Sequence, residues 1–172
     1  MMQKVTEMGR RSVKENKNMY QQCREEQGLT REAAAELLEF ISADRIEKIE
    51  GEKALARPEE VMKMAQIYKR PELANFYCSH ECPIGRIYVP EVRVKDLSQI
   101  TLEMLATLNA LDKEKNRLIE ITVDGVISDE ERRDFEAIRD RLSEMSKTIS
   151  AMTLWVDKAI AEGQMQPEEG DK

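Results

Sequence analysis

Up to about residue 80 the apolar positions come in short blocks separated by polar or helix-breaking residues. Gly28 stops one block, and Thr30 offers an N-cap ahead of Arg31, Glu32 and a run of alanines. Ser42 opens the next block, with Ile46 and Ile49 on one face. Pro58 followed by two glutamates opens a fourth, and Pro71 followed by Glu72 a fifth. Helices this short cannot each cover a core of their own. They are expected to pack together around Leu29, Leu37, Leu38, Ile46, Ile49, Val61, Met64 and Ile67.

Beyond Asp96 the pattern lengthens. Asp96 or Ser98 caps a helix whose stripe runs through Leu97, Ile100, Met104, Leu105, Leu108, Leu111, Leu118 and Ile119. After the break at "TVDGVIS", Phe135, Ile138, Leu142, Met145, Ile149, Met152, Val156 and Ala159 alternate steps of three and four, a sustained heptad seam. Two helices of about 25 residues predict an antiparallel hairpin roughly 35–40 Å long at 1.5 Å per residue. A lone hairpin covers only part of its apolar surface, so a homodimer through a four-helix bundle is expected. Between the regimes, "CPIGRIYVPEVRVKD" holds two prolines and a glycine and reads as extended chain or a short edge strand.

The expectation is an all-α chain organised as 1–14, a flexible basic N-terminus; 15–80, a compact helical domain; 81–95, a linker; 96–163, the hairpin; and 164–172, a disordered tail. Composition agrees: eight aromatic residues and five prolines leave few strand formers or breakers among many Ala, Leu, Glu, Lys and Arg. No apolar run approaches the roughly 20 residues of a membrane span, so no membrane partner is expected. The N-terminus lacks a secretory h-region, and three cysteines form no disulfide framework, which points to the reducing cytoplasm.

Net charge is −7, which at first argues against a polyanion partner. The charge is uneven, however. Residues 1–70 hold 14 Lys/Arg against 13 Asp/Glu, and residues 71–172 hold 13 against 21. Any contact with nucleic acid is therefore expected in the N-terminal half.

That half contains Arg24-Glu25-Glu26-Gln27-Gly28-Leu29-Thr30, then Arg31-Glu32-Ala33-Ala34-Ala35, then Ile46-Glu47-Lys48-Ile49-Glu50. Over about residues 18–78 the chain resembles the Cro/CI-type (XRE, lambda-repressor-like) helix-turn-helix family of transcriptional regulators. The resemblance implies that Ala35 lies where two helices cross closely, and that Arg24 pairs with Glu50. It places Arg31 near phosphate or a base edge. It makes Ser42, Ala43, Asp44, Arg45 and Lys48 the outward face of a recognition helix, with Lys53 near the DNA backbone. Double-stranded DNA is the implied partner. The chain departs from the family's pattern in two turns. Glu39-Phe40-Ile41-Ser42 is one residue longer than usual and has no glycine, and Gly51-Glu52 stands where the family has x-Gly. The tally from Ser42 to Lys53 is three bases and four acids, so a helix-turn-helix serving as a protein-interaction module stands as the alternative.

Other constellations are thinner. Cys78, His80 and Cys82, with Cys23 as a fourth ligand, suit zinc by type but not by spacing, and burial explains Cys23. Glu120–Glu131 mimics a calcium loop, but an Asp124-Gly125 turn and a Ser128/Glu131 capping box account for it. One histidine and no phosphate-binding loop leave no nucleophile–base pair, so no enzyme, cofactor or metal is expected.

Overall fold

The structure of the chain, a computed structural model, describes residues 17–166. The expected flexible segment 1–14, and the tail from residue 167 onward, lie outside the described residues. Among the described residues all regular structure is helical: α1 (Met19–Glu26), α2 (Arg31–Leu38), α3 (Ala43–Glu50), α4 (Pro58–Ile67), α5 (Glu72–Phe76), a π-helical turn (Tyr77–Glu81), α6 (Gly85–Tyr88), α7 (Leu97–Thr122) and α8 (Arg132–Ala161). The described residues divide into two compact units, one reaching to Val89 and including Ala161–Gln164, the other holding Pro90–Ile160 with Met165 and Gln166.

In the first unit, Asn18, Thr30 and Ser42 cap α1, α2 and α3, each side chain accepting a backbone N–H three residues on. Capping starts each short helix; a shared core keeps it. Leu38, Ile46, Ile49, Val61 and Met64 are buried as expected, and Leu29 and Ile67 pack against them half-buried. Leu37 is a correction, being about half exposed. One residue turns a helix by 100°, so with Leu38 fully buried Leu37 is carried to the flank. Tyr20, Ile41, Tyr68 and Leu73 complete the core. Ala34, rather than Ala35, is the fully buried alanine of α2.

The two irregular turns take up the departures in sequence. Glu39 adopts φ 64° and ψ −57°, and the Phe40 N–H bonds the Leu38 carbonyl at 2.7 Å. This is a γ-turn with its central residue at positive φ, a strained form for a side chain with a Cβ. Glu52 likewise sits at φ 57°, while Gly51 next to it has an ordinary φ of −86°. The carboxylate of Glu39 meets Lys63 at 3.3 Å on the surface, a contact of little energetic weight. Glu39→Gly is therefore expected to raise the stability of this unit by about 0.5–1 kcal/mol. An unchanged or lower denaturation midpoint would show that Glu39 is relaxed where it stands.

Residues 81–95, expected as a linker, contain α6 and no strand. The reason is Gly85. A Cβ there would lie 2.1 Å from the carbonyl oxygen of Cys78, so only glycine lets α6 close onto the π-helical turn.

In the second unit, Asp96 caps α7 through the Gln99 N–H. Arg117 reaches Asp134 at 2.7 Å and Glu114 reaches Arg141 at 2.6 Å. Partners rise in number along α8 as they fall along α7, the order antiparallel helices give. Ile100, Ile121, Ile138, Thr148, Ala151 and Leu154 are buried. The expected seam is corrected at Leu142 and Ile149, which stay about half exposed while Thr148 and Ala151 turn inward. Between the helices, Gly125 takes φ 73° and Asp124 accepts the Val126 N–H at 3.0 Å. Ser128 and Glu131 exchange capping-box bonds of 3.0 and 3.3 Å.

Candidate nucleic-acid interface

α3 is an eight-residue helix with one rooted side. Ile46, Ile49 and Glu50 are buried; Asp44, Glu47 and Lys48 point to solvent, and Ala43 and Arg45 are intermediate. Placing a carboxylate on the rooted side needs compensation. Arg24, 6% exposed at its side chain, donates from Nε and an Nη to the two oxygens of Glu50, at 2.6 and 3.0 Å. A second Nη of Arg24 bonds the Leu29 carbonyl, and Arg31 adds a 2.8 Å bond to Glu50. Burial works against the charge on Arg24, but its bond to Glu50 prevails and lifts the guanidinium above its ordinary pKa. One carboxylate thus holds α1, the start of α2 and the end of α3 together. Tyr68, whose hydroxyl has no hydrogen-bond partner, is buried in the same core.

The expected DNA-facing residues do not form a bare cationic surface. Ser42 caps α3, and its Oγ accepts the Arg45 N–H at 3.2 Å. Asp44 and Lys48 pair one helical turn apart at 2.7 Å. Arg45 is anchored: its Nε and Nη2 donate to both oxygens of Glu60 at 2.8 and 2.7 Å, and Nη2 also bonds the Leu55 carbonyl. The bond to Arg45 is the main cause holding Glu60 below the usual carboxylate pKa range. Lys53 stands 3.9 Å from Glu47, and Arg31 is committed to Glu50. Sequence reasoning missed Glu60 as the lock on Arg45, because fifteen residues and a loop separate them and no periodicity links the two.

Two largely exposed apolar side chains flank this face. Phe40 precedes the cap of α3, and Leu55 belongs to the residue whose carbonyl holds Arg45. No family model, curated protein or solved structure matches the chain.

All three cysteines are free thiols. Cys23 is in the core, and burial pushes its thiol up to about 12, so it stays protonated at neutral pH. Cys82 accepts the Gly85 N–H at 3.4 Å, and the His80 ring stacks on Phe76 at 4.7 Å. Among the described residues no three His, Cys, Asp or Glu side chains are grouped to hold a metal ion. No described helix is long and apolar enough to cross a membrane.

Proposed function

We propose that the first unit is a helix-turn-helix module of the Cro/CI type and that the chain is a cytoplasmic, sequence-specific, DNA-binding transcriptional regulator, with the long helices of the second unit forming its antiparallel hairpin. The observation that carries this reading is α3 itself. It is seated by Ile46, Ile49 and the Arg24–Glu50 clamp while Ser42, Asp44, Glu47 and Lys48 stand in solvent. A rod rooted on one side and free on the other is what major-groove docking uses. Arg31, at the start of α2, and Lys53, past the end of α3, would flank it toward phosphates. Arg45 is a positioning residue in this account, since Glu60 and the Leu55 carbonyl hold its guanidinium. A second copy would bring another α3 about 34 Å away, one turn of DNA, on a pseudo-palindromic site.

Each cation of the face is already paired, so duplex binding exchanges a carboxylate for a phosphate at each position. Affinity for random DNA is expected to be modest and salt-dependent. With Arg31, Lys48 and Lys53 engaged, it should fall roughly fortyfold between 50 and 200 mM salt. Fluorescence anisotropy of a labelled random duplex reads this directly, and Lys48→Ala with Lys53→Ala should flatten the slope. Absence of duplex binding even at low salt would leave the second reading, a protein-interaction module. The paired cations and the exposed Phe40 and Leu55 favour that alternative.

A further inference from the structure

The second unit has two unlike flanks. A cleft of about 570 Å³ opens on one, lined on α7 by Ala106, Thr107 and Ala110 and on α8 chiefly by Asp140, Glu144 and Lys147. Stepping 100° per residue from the buried Ile100 and Thr148 places Leu97, Leu105, Leu108 and Ile119 of α7 on the other flank. It places Phe135, Leu142, Ile149 and Val156 of α8 there too. The antiparallel order sets Leu105 opposite Ile149 and Leu108 opposite Leu142. These four side chains are 52%, 53%, 48% and 48% exposed, respectively, although they are central to the unit's own apolar stripes.

We infer that this flank is covered by the same flank of a second copy of the chain. Two observations favour a second copy, the flank's charge and its size. The flank carries no net charge: no Asp, Glu, Lys or Arg falls among its α8 positions, and on α7 the same stepping puts Asp112 and Lys115 among the leucines, where they pair with each other at 3.3 Å. A self-matching contact there meets one neutral ion pair per copy, whereas the cleft is lined by four charged side chains, Asp140, Arg141, Glu144 and Lys147, that a second copy would have to strip of water. The size also fits. From Leu97 to Ile119 the flank runs about 33 Å, and two helices side by side are about 20 Å wide, giving roughly 650 Å². A stable standard interface takes about 600–1,000 Å² per partner. The product is a four-helix bundle in which each hairpin supplies the half of the core the other lacks.

Because this inference is tested without DNA, its outcome is separate from that of the DNA reading. Sedimentation equilibrium of the full chain at about 10 μM should give twice the chain mass. Leu142→Glu with Ile149→Glu should give a single-chain mass with helix content unchanged by circular dichroism. Ser143→Glu with Lys147→Glu, on or beside the cleft, should leave the dimer intact. If the glutamate pair does not fold, Leu142→Gln with Ile149→Gln should still weaken the dimer about tenfold or more. A single-chain mass for the natural sequence overturns the inference, as does a dimer indifferent to both flank pairs or one broken only from the cleft side.

Discussion

Replacing Arg24 by alanine is expected to destabilise the first unit by about 3–5 kcal/mol, the range for breaking a buried ion pair by removing one partner. Glu50 is 1% exposed at its side chain, and with Arg24 gone it keeps only Arg31, whose side chain is about a third exposed. The Leu29 carbonyl would lose its partner in the same step. The charge left behind has no water to turn to, which is why the loss exceeds that of the surface pairs on α3. Urea denaturation followed by circular dichroism measures the effect. Arg24→Met combined with Glu50→Leu should recover much of it, since the only charge left without its partner is Arg31, which is about a third exposed and open to water. A loss under about 1 kcal/mol for Arg24→Ala would mean that Glu50 reaches solvent more easily than its burial implies.

Gly85→Ala is expected to have the second largest effect. The added methyl would fall 2.1 Å from the Cys78 carbonyl oxygen and 2.7 Å from its carbonyl carbon, both backbone atoms that no rotamer change can move. Either α6 lifts from the π-helical turn or that turn unwinds. Overpacking of this kind costs about 1–3 kcal/mol and sometimes more. The loss should be local, appearing as faster amide exchange at the Val89 and Cys82 N–H groups, whose acceptors are Gly85 and Tyr77. Unchanged exchange there would show that α6 is docked more loosely than the contact requires.

Much of the local structure was legible in the sequence because its causes are local. Thr30, Ser42 and Asp96 act within three residues of themselves, and each caps the helix it was expected to start. The pairing of Arg24 with Glu50 was not local; it came through the family resemblance, and the structure contains it. What stayed hidden depends on packing across sequence distance. Leu37 and Leu38 are chemically alike, and only the placement of neighbouring helices decides which is buried. A seam of eight apolar positions on α8 could not reveal that Leu142 and Ile149 stay open on the flank. Nor could a glycine between two prolines announce that it seats a helical turn. At the candidate interface Ser42, Asp44 and Lys48 of the expected outward face are exposed, but Ala43 and Arg45 are only partly so, and the pairing of the cations with Glu60, Glu50, Asp44 and Glu47 required coordinates.

In the proposed function α3 touches DNA. Backbone amide shifts of the full chain, followed by nuclear magnetic resonance during titration with a short duplex at low salt, test it most directly. Perturbations are expected to concentrate at Thr30–Ala33 and Ser42–Lys48. Shifts confined to other elements, or none at millimolar duplex, would contradict it.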